Sequence, residues 1–458
     1  MMKPVYDIKQ NKLGLIGRVK TITFAFFAVI SVGTFLLMLP VAKQGVGSAD
    51  LLTALFTATS ATCVTGLSVV DTATYWSFWG RLIILALIQI GGLGVMMLGA
   101  IVALVVGRRI SMGERILLST SLNLDESAGI VRFAMLIIKG TFMLEGAGAL
   151  LLTVCFIPEF GLWGALDRGI FVSISAFCNA GFDNLGIGGK FASIIPYKNN
   201  IPILLIISCL IIVGGIGFYV WNEFNEVRLG KRKVWQLSLH TKLVLLTTII
   251  LLLGGTAVFF VTEFRGDSIE GGVIFRLVQS FFQSVTVRTA GFDHIGQGEL
   301  TSASRAVSMV LMFIGGSPGS VAGGIKTTTF TVLALSAVSA LKGRKRIEIF
   351  GRSISEKAVS DAMSLFFLAA FSAFMGALVI SMLEGIVFEA ALFECISAIA
   401  TVGLSMGLTP MLGTASKVLL VILMFLGRVG IITVGMTALM RSTPDESIKL
   451  PEGKVIIG

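Results

Sequence analysis

The chain is 458 residues long, 55% apolar and only 14% charged, where a soluble domain carries about 25% charged residues. A mean hydropathy of +0.92 with 53 glycines and 9 prolines excludes a disordered chain, a collagen and a disulfide scaffold, and places most of the sequence in lipid. The net charge of +10 is therefore an orientation signal to be read link by link, not a footprint for nucleic acid.

In chain order, stretches long enough to span the hydrocarbon, about 20 apolar residues each, are Thr21–Leu39, Arg81–Val106, Phe133–Ile157, Ile201–Trp221, Leu243–Val261, Val307–Leu341, Ala362–Leu383 and Lys417–Leu439. The sixth carries a polar interruption. Between the spans lie segments of one to three turns, rich in Phe, Ala, Ser and Thr. They are too short to cross and too apolar for surface loops. Two-thirds of the 36 basic residues fall at the termini and in every second link, among them Lys3 to Lys20, Arg108 to Lys139, Arg228 to Lys242, Lys342 to Lys357 and Arg441 to Lys454. That puts both termini in the cytoplasm and the short segments on the outward side. The five cysteines form no CxxC or metal spacing and read as buried free thiols. Only His240 and His294 are present, which argues against histidine-based catalysis or metal binding, and the polar start does not read as a signal peptide.

The short segments repeat. Phe56 to Gly66, Phe171 to Gly181, Phe281 to Gly291 and Phe393 to Gly403 each hold Phe ten positions before Gly, with Leu67, Phe182, Phe292 or Leu404 next. The glycines are 110 to 115 residues apart. The unit is span, half-helix, span, four times over. It divides the chain into a cytoplasmic N-terminus (1–20), repeats 1 (21–107), 2 (133–222), 3 (241–341) and 4 (358–440), and a cytoplasmic tail (441–458). The fold class is an all-α integral membrane protein: four M1–P–M2 (helix–pore loop–helix) repeats around a central, potassium-channel-like pore. Non-helical backbone at membrane depth is tolerated only where protein or a water-filled cavity satisfies it. Four extended strands ending in glycine would offer rings of carbonyls able to replace a cation's hydration shell. The candidate strands are Cys63-Val64-Thr65-Gly66, Cys178-Asn179-Ala180-Gly181, Arg288-Thr289-Ala290-Gly291 and Ala400-Thr401-Val402-Gly403.

These four imperfect strands resemble those of the Trk/Ktr/HKT superfamily of potassium transporters, in every repeat and over nearly the whole chain. With eight spans it is most similar to the Ktr-type membrane subunit, of the KtrB or KtrD kind. The resemblance implies potassium uptake inside each protomer, a homodimer, and a cytosolic ring of nucleotide-binding RCK subunits (KtrA- or KtrC-like) that regulates opening. It also implies a bacterial cell membrane as the location. A serine at the first strand glycine goes with sodium permeation in that family, so four glycines imply K⁺ as the transported ion bound at the filter, with Na⁺ a further possibility. No cofactor bound by the chain is implied.

Each second span carries a glycine cluster: Gly91 to Gly94, Gly214 to Gly217, Gly315 to Gly319 and Gly427 to Gly430. In repeat 3 it extends through Gly315, Gly316, Ser317, Pro318, Gly319, Ser320, Gly323 and Gly324 to Lys326. Five glycines and a proline end a helix, so the span breaks at 315–326, which reads as an intramembrane gate loop. Pro318 departs from the Ser/Thr/Ala-rich loop of KtrB. Ionisable residues at this depth are functional candidates. Arg428 is expected to face the pore and touch the gate loop. Arg288 is expected to turn behind its strand toward Glu394, Glu145 to serve helix packing, and Lys326 to reach for the cytoplasmic boundary. The chain lacks GxxxxGK[ST] and reads as no enzyme. The competing reading is a Na⁺- or H⁺-coupled K⁺ symporter.

Overall fold

The computed structural model describes residues 5–94, 97, 129–186, 189–263, 272–344 and 346–430, with side chains from residue 20 onward. The expected end of repeat 1, most of its basic link and the C-terminal tail lie outside the described residues.

The described fold is helical, with one small antiparallel hairpin of β1 (Ile347–Ile349) and β2 (Arg352–Ile354). Repeat 1 comprises α1 (Val5–Leu37), the half-helix α2 (Leu51–Thr62) and α3 (Phe78–Leu93). In repeat 2 the first span and the half-helix run together as α4 (Ile130–Phe177), interrupted after Pro158 by Gly161 at φ 66°, ψ 176°. They are followed by α5 (Ile201–Ile216) and α6 (Phe218–Arg228). Repeat 3 contains α7 (Leu239–Thr262), the half-helix α8 (Val273–Thr286), α9 (Ser302–Phe313) and α10 (Thr327–Leu341). Repeat 4 contains α11 (Glu356–Glu384), the half-helix α12 (Phe388–Ile399) and α13 (Thr414–Val429). Side chains of Asp50, Ser77, Asn200, Ser238, Thr301 and Ser355 cap helix starts, each satisfying a backbone N–H that the helix leaves over.

Lipid tails are as apolar as leucine, so helices in a membrane associate through close packing over small residues. The chain does this at one equivalent point in all four repeats. A Cβ at Gly33, Gly148, Gly255 or Gly376 of the first span would lie 2.8, 2.8, 3.0 or 3.0 Å from a methyl carbon of Leu87, Leu210, Leu311 or Leu423 of the second. Each of those leucines stands four residues before the first glycine of its cluster. The outward faces are apolar, with Phe24, Phe27, Leu150, Val154, Phe367 and Phe371 exposed, while Trp79 and Trp235 stand exposed near helix starts and Trp163 beside the Gly161 break of α4, as at a membrane–water boundary.

The glycine clusters both bend the second spans and let them approach. Three of these helices stop at Gly94 (φ 91°), Gly217 (φ 104°) and Gly430 (φ 99°), backbone that a Cβ disfavours. Across Gly217, α5 and α6 meet at 94°. In repeat 3 the break falls earlier, at Ile314, and the chain re-enters a helix only at Thr327. The thiols of Cys63, Cys178 and Cys395 are buried, but Cys155 is half-buried and Cys209 exposed. The latter two correct the expectation of five buried thiols, because their side of the helix faces outward from the bundle.

Candidate functional site

The half-helices α2, α12 and the end of α4 finish alike. After Thr62, the Val64 N–H bonds the Ala61 carbonyl and the Thr65 N–H bonds the Ser60 carbonyl. Asn179 and Ala180 repeat this on Ala176 and Ser175, and Thr401 and Val402 on Ala398 and Ser397. This is the Schellman closure, whose turning residue is usually glycine. Here it is Val64 (φ 56°), Asn179 (φ 56°) and Thr401 (φ 51°). A left-handed side-chain-bearing residue costs about 1–3 kcal/mol and persists only where its surroundings over-determine it. The strands are therefore not extended throughout, as the sequence reading has it: each turns sharply at its second residue, because the helix's last carbonyls must find donors.

The four strands close a ring. A Cβ at Gly66 would meet the Ala180 carbonyl oxygen at 2.5 Å, one at Gly181 the Ala290 oxygen at 3.0 Å, one at Gly291 the Val402 oxygen at 2.3 Å, and one at Gly403 the Thr65 oxygen at 2.2 Å. Each glycine thus lies against the carbonyl that precedes the next repeat's glycine, in cyclic order. Behind the ring, the second spans press on the half-helix ends. Cβ atoms at Gly91, Gly214 and Gly427 would stand 2.0 to 2.1 Å from the carbonyl oxygens of Thr62, Phe177 and Ile399. Hydroxyls hold two of the glycine amides: Gly66 N–H donates to Ser60 Oγ at 3.1 Å and Gly403 N–H to Ser397 Oγ at 3.0 Å, whereas Ser175 Oγ at the equivalent place in repeat 2 has no partner among the described residues. Ser60, Ser175 and Ser397, each six residues before its glycine, and the Leu87-type leucines were legible in the aligned repeats but lie outside the strand itself.

The segment from Ile314 to Lys326 runs against this ring. Its Gly323 packs where a Cβ would be 1.8 Å from Thr401 Oγ1, and Gly324 lies by the Ala400 carbonyl. Backbone bonds tie it to repeat 2: Ser317 N–H to the Gly215 carbonyl at 3.0 Å, and Phe218 N–H to the Gly319 carbonyl at 2.8 Å. Gly315 N–H bonds the Ile325 carbonyl at 2.8 Å, closing the segment into a loop. Thr327 Oγ1 donates to Ser317 Oγ at 3.2 Å, and Ser320 Oγ to the Ser317 carbonyl at 2.7 Å. Pro318 presents its carbonyl to Gly217.

Arg428 ties three repeats together. Its guanidinium donates to the Val321 carbonyl at 2.6 Å and to the Gly91 carbonyl at 2.5 Å. Arg288 is buried and turns away from the strand, but its partner is the Gly315 carbonyl, at 3.3 Å, and not Glu394. Glu394 is already taken by Ser405 Oγ, Met406 N–H and Thr409 Oγ1. Lys326 also differs from expectation: its ammonium donates back to the Ala322 carbonyl at 2.7 Å, inside the loop. No carboxylate lies within 4.0 Å of Arg288 or Arg428 among the described residues. Carbonyls are what offset the desolvation of these two charges. Glu145 stands behind the second strand, accepting from Gln89 Nε2 at 3.2 Å and from the Cys178 thiol at 3.7 Å.

Just past the glycines, at the other end of the ring from the 314–326 loop, lie Asp183 and Asp293, both half-buried. Burial pushes the Asp183 carboxyl up to about 6 and raises that of Asp293. Among the described residues no cluster of three metal-ligating side chains occurs.

Four membrane-embedded repeats that aim half-helices and carbonyl-bearing strands at one ring define a pore-loop membrane protein. The chain belongs to the TrkH family of cation transport proteins, which matches residues 9–449. It is 40% identical over 446 residues to the potassium/sodium uptake protein NtpJ of Enterococcus hirae, covering 96% of this chain and 97% of that one. It is 36% identical to the Ktr system potassium uptake protein B of Bacillus subtilis, covering 96% of each. The crystal structure of the potassium transporter TrkH from Vibrio parahaemolyticus superposes with a TM-score of 0.73 over 93% of this chain and 85% of that chain, at 18% identity. That likeness carries the fold.

Proposed function

We propose that this chain takes up potassium across a bacterial cell membrane, through a selectivity filter formed by Cys63–Gly66, Cys178–Gly181, Arg288–Gly291 and Ala400–Gly403. The observation that carries the reading is the cyclic contact of each filter glycine with the next repeat's carbonyl, which requires four strands around one axis. A ring of carbonyls exchanges for a cation's hydration shell, and the half-helices point their partly negative ends toward it. The 314–326 loop is the gate, pinned below the filter by Arg428 and Arg288. The uptake proteins named for potassium among the relatives support the substrate, and the Ktr system relative supports a partner. On this reading the chain works as a homodimer docked on a nucleotide-binding RCK ring through its basic cytoplasmic links, with both termini cytoplasmic. It is not an enzyme and binds no cofactor of its own.

One observation favours a second reading, Na⁺-coupled symport: the Enterococcus relative is named for potassium and sodium together. Reconstituted into bilayers, the channel reading expects currents that reverse at the K⁺ equilibrium potential whatever the Na⁺ gradient. A reversal potential that follows the Na⁺ gradient selects symport instead.

A further inference from the structure

A small cavity lies behind the filter between repeats 2 and 3. It is lined by Asn179 of the second strand, Arg288 of the third, Thr248 of α7, Gly316 of the loop, and apolar side chains including Ile212 and Leu252. The room it leaves for a water-sized sphere, about 20 Å³, is enough to seat an ordered water molecule. Three of its polar side-chain atoms have no hydrogen-bond partner among the described residues: Arg288 Nε, Asn179 Oδ1 and Thr248 Oγ1. All three residues are more than nine-tenths buried, at 7%, 1% and 7% exposure. An unpaired donor, an unpaired acceptor and a hydroxyl able to do either are what a single water requires, since buried waters make about three hydrogen bonds.

We propose that this cavity is a structural water site bridging Arg288 Nε, Asn179 Oδ1 and Thr248 Oγ1. Arg288 also donates to the Gly315 carbonyl at 3.3 Å, so the water joins the second filter strand to the gate loop through one guanidinium. Thr248 fastens that bridge to α7, a helix that contributes nothing to the ring. Asn179 is the strained turning residue of its strand, and the water supplies the partner that its side-chain oxygen needs to hold that turn. The role assigned to the bridge rests on the filter-and-gate reading; the water itself rests only on the cavity and its three atoms.

The test is a structure of the full-length protein at a resolution that shows ordered water, together with Thr248→Val and Thr248→Ser in a flux assay. A single density peak within hydrogen-bond reach of all three atoms is expected. Thr248→Val, nearly isosteric, should lose the peak and lower K⁺ over Na⁺ discrimination about five- to tenfold, the value of one buried hydrogen bond, while Thr248→Ser keeps both. No peak, or a peak that bromide replaces with an anomalous signal, overturns the water site. A peak with unchanged discrimination in Thr248→Val overturns its bracing role. Wild-type flux measured alongside separates either result from failure of the potassium reading: an unselective wild type refutes the filter, whereas the density still decides the water.

Discussion

Adding a methyl group at the four ring glycines should damage uptake in a fixed order. At Gly403 the new carbon would sit 2.2 Å from the Thr65 oxygen and at Gly291 2.3 Å from the Val402 oxygen; at Gly66 the gap to the Ala180 oxygen is 2.5 Å, and at Gly181 the nearest atom is 2.9 Å away. Ordinary contact begins at 3.4 Å, so the shortfalls run from about 1.2 Å at Gly403 to about 0.5 Å at Gly181. In every case the opposing atom is backbone of the next strand, which cannot swing aside as a side chain does. The backbone angles separate the same two extremes: φ is 93° at Gly403, farther from the left-handed well than the 66° of Gly181, whereas the 95° of Gly66 and 77° of Gly291 bring those two middle positions closer together. Strain of this kind costs about 1–3 kcal/mol at each residue, and each 1.4 kcal/mol is tenfold in an equilibrium. Gly403→Ala should therefore reduce K⁺ over Na⁺ discrimination by about ten- to a hundredfold, and Gly181→Ala by about tenfold or less. Rubidium uptake competed by sodium, in cells lacking their own potassium uptake, measures it. Equal losses at all four positions, or the largest at Gly181, would refute the ring as drawn.

Removing the guanidinium in Arg428→Gln frees the Val321 and Gly91 carbonyls, and unidirectional K⁺ flux should rise several-fold with selectivity kept; unchanged flux counts against Arg428 as a gate latch. On the proposed orientation, the pH dependence should come from the outward-facing end of the ring, where Asp183 lies. Asp183 gains its proton as external pH falls through about 6, because burial raises its carboxyl, and removing that negative charge lowers the local K⁺ concentration. Uptake should fall about two- to fivefold between pH 7.5 and 5, in keeping with about 1 kcal/mol for one nearby charge in water. Asp183→Asn should flatten the profile, and a profile identical to wild type would assign the dependence elsewhere.

The repeat and the ring glycines were readable because backbone constraint leaves a residue-type signature: a position that must hold a φ of 66° to 95° against a neighbouring carbonyl is glycine in all four copies. The break in the sixth span was equally plain, since helix cannot pass through Gly315 to Gly324. The partners of the buried charges were not readable. Arg288 could be placed behind its strand by electrostatics alone, but which oxygen it met depended on how far the loop folded back, and the nearest carboxylate in the aligned repeat, Glu394, had already closed its own turn. Lys326 followed the same logic, preferring a carbonyl four residues back to the distant boundary. The Schellman turns at Val64, Asn179 and Thr401 were hidden for a different reason: glycine, their usual marker, is absent.

The third repeat departs from the other three, and the departure has a consequence that can be measured. Where they place Ser60, Ser175 and Ser397 six residues before the glycine, it places Val285, so no hydroxyl is available there for the Gly291 amide. Its neighbour Thr286 takes over: the Thr286 carbonyl accepts from both Ala290 and Gly291 N–H, at 3.0 and 3.3 Å, and its hydroxyl donates to the Phe292 carbonyl at 2.7 Å. The turn is thereby wound differently, and the left-handed residue is Thr289, following Arg288. That winding accompanies the Arg288 bond to Gly315, so the strand that breaks the pattern is also the one bonded to the loop that breaks its own span. Thr286→Val keeps shape and burial but strips the hydroxyl, leaving the Phe292 carbonyl without that donor at a cost of about 1–3 kcal/mol. If the third strand holds the loop in register, this variant should lose discrimination and raise basal flux together, with Thr286→Ser restoring both. The matching change in a regular repeat, Ser397→Ala, removes only the Gly403 amide's acceptor and should lower discrimination without raising flux. A Thr286→Val protein that loses discrimination alone would separate the strand from the loop.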